Sequence, residues 1–538
     1  MDQTAGDMSL QYGLTDALSP QRMLEAALAE HPDAQILIKT HPDVLAGKKR
    51  GCLPLQAHPR ITVIQAAVNP LVLLREVEQV YVLTSQLGLE ALLLGKPVTC
   101  FGMPFYAGWG LTDDRVRLTD PQHVVFQRRK RTRSLVEVVA AAYFSYTRYV
   151  HPDSGQRCEP EAIVEYVAEQ HRLYRENAGR LFCFGFTRWK RNYIRRFLHA
   201  PGNQLVFVWS RAAALRHGFD ANAHIVAWGE RAMHEAEILA AESGVPVWRV
   251  EDGFIRSAGL GSDYTPPLSL VLDKRGIYYD PAQPSDLEYL LQNHAFTPEL
   301  LTRASLLRNK LLEYALSKYN LGSPLSRAVL KAKTGQRIIL VPGQVEDDAS
   351  IRKGCRDIAG NTALLKAVRS ANPKAWVIYK PHPDVVSGNR KGRVTEIVLR
   401  DCCDQVLEDV SITDCLDWVD EVHTLTSLVG FEALLRGRRV VCYGLPFYAG
   451  WGLTEDRHLL SRRTRRLQLD ELVAATLILY PRYMNWETGA FTTPEWALET
   501  LHRQLVTQGG KQKNKVPAVK RLWHKAVHIY QGVFNFRY

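Results

Sequence analysis

Short apolar runs alternate with stretches of helical period along most of the chain. Leu181-Phe-Cys-Phe184, Leu205-Val-Phe-Val-Trp209, His224-Ile-Val-Ala-Trp228 and Val245-Pro-Val-Trp-Arg-Val250 are nearly continuous hydrophobic runs. That is the pattern of parallel strands covered on both faces. Helical segments such as Arg231 to Glu242 fall between them, and a long polar helix is expected from Pro298 to Tyr319. Arg337-Ile-Ile-Leu-Val341, Trp376-Val-Ile-Tyr379, Glu421-Val-His-Thr424 and Arg439-Val-Val-Cys-Tyr443 then supply a second set of strands. The pattern predicts an α/β class, with Rossmann-like domains over residues 180–325 and 326–505 facing each other across a cleft.

The chain also repeats itself. Lys39-Thr-His41-Pro42-Asp43-Val44 returns as Lys380-Pro-His382-Pro383-Asp384-Val385, and Gln3, Asp7 and Ser9 return as Gln344, Asp348 and Ser350 at the same spacing. Thr84-Ser85-x-x-Gly88-x-Glu90 recurs as Thr426-Ser427-x-x-Gly430-x-Glu432, and Pro104 to Thr112 recurs unchanged as Pro446 to Thr454. Tyr146-x-Arg148-Tyr149 has its partner in Tyr480-x-Arg482-Tyr483. Residues 1–157 therefore duplicate residues 342 to about 491. The period is far too long for a solenoid, so this is a duplicated domain. Residues 180–330 have no counterpart upstream. The first copy thus reads as the back half of a module whose front half is missing: a fragment or N-terminal truncation, a start assigned late or, less readily, a natural half-module. Residues 158–179 read as a linker helix and 506–538 as a basic tail.

Composition narrows the class. Hydrophobic residues at 46% and charged residues at 23% suit several folded domains and exclude a disordered chain. No apolar run approaches the ~20 residues of a membrane span, and the acidic start MDQTAGDMSL is unlike a signal peptide. Nine cysteines without C-x-x-C spacing read as reduced thiols in a cytosolic protein. The net charge of +12 gathers in Arg128-Arg129-Lys130-Arg131, in Arg462-Arg463-Thr464-Arg465-Arg466 and in the tail from Lys511 to Lys525. With no nucleic-acid-binding signature present, an anionic membrane surface or acidic substrates are the favoured partners.

The repeated motifs fall immediately after strands, where open α/β sheets bind ligands. Lys380 and His382, with Pro383 fixing the backbone beside them, suit a nucleotide phosphate. Thr426 and Ser427 precede a helix, a place for both capping and anion binding. Gly430 would admit a ligand, and Glu432 would meet ribose hydroxyls. Glu251 and Asp252 close a strand, and one of them could deprotonate an acceptor hydroxyl. The Asp-Gly turn is the plainer reading of the same residues. Arg256 opens an expected anion-contacting loop, Phe254 to Ser262. Of the acids after Gln344, only Asp348 persists between the copies, so it can be a covalent nucleophile, whereas a magnesium site would want two. The Pro446–Thr454 block could line a sugar or base site, or serve equally well as a fixed packing element.

These motifs resemble the KpsC family of capsule polysaccharide β-Kdo transferases. The Gln-x-x-x-Asp-x-Ser stretch, the His-Pro pair, Thr-Ser-x-x-Gly-x-Glu, the Pro-Phe-Tyr-Ala-Gly-Trp-Gly block and their duplication together carry the resemblance. It implies a GT-B fold and a retaining enzyme that needs no metal. The enzyme would transfer Kdo from CMP-β-Kdo to a Kdo-primed lysophosphatidylglycerol at the cytoplasmic face of the inner membrane, beside the capsule synthesis and export machinery. It further implies Asp348 as nucleophile and Glu251 or Asp252 as acid/base. Lys380 and His382 would hold the phosphate, and Ser427 and Glu432 the nucleotide, with Gln344, Ser350, Pro383, Thr426, Gly430 and Arg256 completing the donor site. Asp7, Lys39, His41, Ser85 and Glu90 are the first-copy equivalents, expected to be inactive alone. A sialyltransferase-like enzyme, a nucleotide-sugar epimerase and a non-catalytic assembly scaffold are the rivals.

Overall fold

The computed structural model describes residues 1–507 apart from 55–56, 67, 258–264, 319, 321–328 and 389. The chain divides into two compact units: one made of Met1–Val150 with Gln156–Ile163, the other of His151–Gly155 with the remainder from Val164. Most of the expected glycine-rich loop after Arg256 and residues 508–538 of the basic tail lie outside the described residues.

In the second unit the long apolar runs form two sheets. One has seven strands, ordered Phe491–Thr492, Pro481–Met484, Ser269–Asp273, Val247–Asp252, His224–Ala227, Arg180–Phe184 and Gln204–Val208. The last four are mutually parallel and the first three antiparallel to their neighbours. The other sheet has six parallel strands, ordered Gln405–Val406, Trp376–Lys380, Ile338–Pro342, Glu421–Thr424, Arg439–Cys442 and Glu455–Asp456. The boundary expected at residue 505 needs correction. After Leu479 the chain crosses back, and Pro481–Thr492 complete the first sheet because Pro481, Arg482 and Tyr483 pair with Val271, Leu270 and Ser269. The expected helix to Tyr319 ends at Glu313, where Ala315 takes a left-handed φ of 47° and breaks the helical run.

The first unit repeats the back half of the second in smaller pieces. A parallel pair, Ile36–Lys39 with Ile61–Ile64, stands apart from a three-stranded sheet, Val80–Val82, Val98–Cys100 and Asp113–Asp114. Equivalent residues meet different surroundings. Tyr480 is 7% exposed and donates to Asp273 Oδ2 at 2.7 Å, whereas Tyr146 is 87% exposed. Asp273 belongs to the strand Ser269–Asp273, for which the first unit has no counterpart among its described residues.

Arg462, Arg463 and Arg465 of the expected anion-facing run form an internal clamp, and Arg466 is exposed. Arg462 and Arg463 both engage the buried carboxylate of Glu288, the latter at 3.0 Å. Arg463 also donates to the carbonyls of Pro446 (2.8 Å) and Ala449 (2.7 Å), and Arg465 to that of His294 (2.7 Å). A cation this buried survives only because partners surround it. Among the described residues no helix is long and apolar enough to cross a membrane.

Candidate functional site

A cavity of about 400 Å³ in the second unit lies at the carboxyl ends of strands from both sheets. The six-stranded sheet contributes Gln344, Asp348, Lys380, His382, Ser427 and Glu432; the other wall carries Glu251, Asp252, Tyr278 and Tyr279.

Asp348 is exposed at the mouth and caps the short helix Ala349–Gly354. Its Oδ1 accepts from the Ser350 N–H at 2.9 Å and the Ser350 hydroxyl at 2.8 Å. Both bonds use the same oxygen, so Oδ2 keeps its lone pairs for the cavity. The neighbouring acids are spent elsewhere: Glu346 accepts from the Asn361 N–H at 2.8 Å, and Asp347 pairs with Arg390 at 3.1 Å.

Lys380 is 8% exposed, and its Nζ donates to the Glu408 carbonyl at 3.3 Å. Burial lowers its pKa. His382 caps Pro383–Val386, its Nδ1 accepting from the Asp384 N–H at 3.2 Å. The sequence reading paired two cations here. Burial instead pushes the His382 pKa below its ordinary value, against the pull of Asp384 and Asp348. The neutral ring therefore offers one donor, Nε2–H, beside the buried ammonium.

Glu251 is half-buried at the end of Val247–Asp252. Burial raises its pKa, and the adjacent Asp252 raises it further; the Asp252 N–H, Lys318 and Lys190 oppose the shift. Asp252 is engaged differently: Arg256, only 1% exposed, donates to its Oδ2 at 2.7 Å. That corrects two expectations. Arg256 does not line the cavity but holds Asp252 and the Ser257 hydroxyl from beneath, because a buried guanidinium needs such partners. Of the two carboxylates, Asp252 carries the ion pair and Glu251 the raised pKa.

Three further expected ligand residues serve the scaffold. The Gln344 amide is used on Thr426, donating to its hydroxyl at 3.1 Å and accepting from its N–H at 3.0 Å. Gln3 does the same to Thr84 at 3.1 and 2.9 Å. Gly430 makes room for Tyr448 and not for a ligand, since a Cβ there would sit 2.2 Å from the Tyr448 hydroxyl. That hydroxyl donates to the Ser427 carbonyl at 2.5 Å, and Gly88, Tyr106 and Ser85 repeat the arrangement. Tyr448 and Trp451 are wholly buried, so most of the Pro446–Thr454 block is packing, with Phe447 alone among its aromatics reaching the cavity. Ser427 caps Leu428–Leu435, its hydroxyl accepting from the Val429 N–H at 3.2 Å. Glu432 is buried at the cavity edge and accepts from the Lys318 N–H at 3.1 Å.

Tyr278, Tyr279 and Lys318 escaped the sequence reading. Burial raises the Tyr279 pKa, with Glu251 and Asp348 adding to it, so both carboxylates lie near its hydroxyl. The adjacent aromatic pair after a strand was the only available signal, and no second copy marked it.

In the first unit Asp7 accepts from the Ser9 N–H at 2.8 Å, Lys39 donates to the Thr40 carbonyl at 3.0 Å, and His41 Nδ1 accepts from the Asp43 N–H at 3.1 Å. Burial raises the pKa of Glu90. The caps at Asp7 and His41 thus repeat those at Asp348 and His382, whereas Lys39 and Lys380 donate to different carbonyls. The wall bearing Glu251 and the tyrosines has no counterpart within that unit's described residues.

The profile of a family described as capsule polysaccharide biosynthesis protein matches residues 1–149, 223–321 and 308–483. The capsule polysaccharide modification protein LipA of Neisseria meningitidis serogroup B is 47% identical over 506 residues, 94% of this chain and 71% of that protein. The lipopolysaccharide-processing protein LpsZ of Rhizobium meliloti is 40% identical, over 63% of this chain and 76% of its own. Among solved structures, Thermosulfurimonas dismutans KpsC, a beta Kdo 2,4 transferase, is 33% identical with a TM-score of 0.53, over 60% of this chain and 97% of that one.

Proposed function

Because the chain belongs to the capsule polysaccharide biosynthesis protein family, we propose that its second unit is a retaining glycosyltransferase of the GT-B type. It moves Kdo from CMP-β-Kdo onto a Kdo-primed lysophosphatidylglycerol, at the cytoplasmic face of the inner membrane and beside the capsule synthesis and export machinery. The observation that carries this reading is the cavity: Asp348, with one carboxylate oxygen outside its helix cap, the buried Lys380 and His382 line one wall, and Glu251, whose pKa burial raises, lines the other.

In the first step Asp348 Oδ2 attacks the anomeric carbon of Kdo, and the bond to the CMP oxygen breaks with its electron pair on the phosphate. Lys380 and the Nε2–H of His382 meet that charge where it develops. A single phosphate leaves, so a single cationic site with a neutral donor suffices, and no metal is invoked. In the second step the acceptor hydroxyl attacks the same carbon, its proton passes to Glu251, and the Asp348 carboxylate is released. Two inversions retain configuration. The start of Leu428–Leu435 and Glu432 border the space for the nucleotide.

The test is incubation of the full chain with CMP-Kdo and a synthetic Kdo-lipid acceptor, followed by mass analysis. One added Kdo is expected, with none from Asp348→Asn. Turnover of a UDP-sugar without Kdo transfer, or undiminished transfer by Asp348→Asn, would refute the reading.

A further inference from the structure

Lys190 lies outside the cavity's lining but within electrostatic reach of Glu251. It belongs to the helix Arg188–Phe197, which leads from the strand Arg180–Phe184 toward its neighbour Gln204–Val208. Between strand and helix Gly185 takes a φ of 82°, and a Cβ there would stand 2.4 Å from the Trp228 carbonyl. Only glycine permits that approach, and it sets the start of the helix against the end of His224–Ala227. The Lys190 ammonium thereby rests over the Trp228 indole, 3.8 Å from a ring centroid, with Trp189 beside it at 5.9 Å.

This half-buried ammonium has no ion-pair or hydrogen-bond partner among the described residues. Burial lowers its pKa, while Glu251 and Asp252 pull the other way. Neither carboxylate is its counter-ion. Asp252 gives Oδ2 to Arg256 at 2.7 Å, and burial raises the pKa of Glu251. An indole face offsets only part of what a cation loses on leaving water. Two more polar atoms of this corner are unsatisfied. The hydroxyl of Tyr193, a residue 3% exposed on the same helix, is buried without a hydrogen-bond partner, and so is Asp252 Oδ1. Burial raises the Tyr193 pKa and Asp252 adds to it, so the two groups are neighbours. The helix start points the same way. Thr187 makes no side-chain cap and the first turn holds no acidic residue, so the leading N–H groups of this ten-residue helix lack a side-chain acceptor.

We infer a carboxylate-binding subsite on the acceptor wall, formed by Lys190 over Trp228 at the start of Arg188–Phe197. It takes the carboxylate of an acidic sugar and so turns a hydroxyl of that same sugar toward Glu251. The subsite rests on the reaction proposed above, whose acceptor ends in Kdo. A neutral sugar would leave the ammonium desolvated and unpaired, so acidic acceptors are selected. The lipid phosphate is the other source of negative charge. The sugar carboxylate is favoured because Lys190 stands near Glu251, where the reacting sugar has to be.

The probes are the methyl glycoside of Kdo, its C1 carboxamide and glycerol 3-phosphate, each titrated calorimetrically into the full chain with CMP present to fill the donor side. The acid should bind at least about tenfold more tightly than the amide, as one hydrogen bond to a charged group provides. Lys190→Met keeps the stem over Trp228 and removes the charge. It should erase that preference by weakening the acid alone, and Lys190→Arg should restore part of it. In the transfer assay Lys190→Met should raise KM for the Kdo-lipid acceptor more than it lowers kcat. Equal binding of acid and amide by the parent protein, or a preference that survives Lys190→Met, would overturn the subsite. Lys190-dependent capture of glycerol 3-phosphate without any preference for the acid would overturn it too, making the lipid phosphate the occupant. If Kdo transfer fails while the Lys190-dependent preference holds, the reaction is what falls; if transfer proceeds equally well onto acid and amide acceptors, the subsite falls.

Discussion

Ser350 holds one oxygen of Asp348 with two donors and leaves the other for the cavity. Asp348→Asn keeps a side-chain oxygen for the cap but loses the nucleophile. Kdo transfer should fall by at least about a thousandfold, with the circular dichroism spectrum unchanged. Glu251 makes a prediction with two readouts. Its folded pKa is raised by burial and by Asp252, so the folded chain binds the proton more tightly than the unfolded chain. Stability is therefore full below the ordinary value of 4.5 and is lost as pH rises through the folded value. Glu251→Gln should raise the melting temperature at pH 7 to 8, with the gain narrowing as pH is lowered. It should also abolish the acid limb of the transfer rate, which in the parent falls above the usual carboxylate range. The sequence exposed Asp348, Lys380 and His382 because duplication separated them from their neighbours. It did not reveal the protein partners of Arg256, Gly430 and Gln344, because a motif does not say whether a residue's partner is a ligand or the protein. Here the partners are Asp252, Tyr448 and Thr426.

At the scale of elements, charge and glycine turn out to serve packing. The Arg462–Arg465 segment closes on Glu288, whose buried carboxylate meets both Arg462 and Arg463. Glu288→Ala would leave Arg463 buried without its counter-ion, at a cost of about 3–5 kcal/mol, measured by urea denaturation. Arg462→Ala should cost less, because that side chain is about one third exposed (34%). Gly430→Ala forces a methyl against the Tyr448 hydroxyl and should destabilise by about 1–3 kcal/mol, because Tyr448 is anchored on the Ser427 carbonyl and cannot yield. The strands themselves were legible, since β-rich apolar runs in an α/β chain have few alternatives. The arginine clamp was not, because its carboxylate lies 175 residues away in sequence.

At the scale of the molecule, the repeated motifs occur in both units, but among the described residues only the second unit adds a wall bearing Glu251 and the tyrosines. Asp7→Asn should leave transfer unchanged where Asp348→Asn abolishes it, a comparison made in one assay on the full chain. The division into two compact units also predicts two calorimetric transitions, one for each unit. The repeat made the architecture readable over most of the chain. The return of Pro481–Thr492 to the first sheet was not, because pairing between distant segments leaves no local pattern.

In the proposed reaction the two nitrogens of the His382 ring have separate tasks, and amides can divide them. Asparagine places an acceptor near where Nδ1 sits and can keep the turn closed on the Asp384 amide, yet it is too short to reach a departing phosphate. Glutamine extends a donor toward the place of Nε2 but surrenders the cap. The first substitution should preserve the loop and slow turnover by about 10²–10³-fold; the second should retain part of the rate in a looser loop. One imidazole would thereby be resolved into an architectural half and a chemical half.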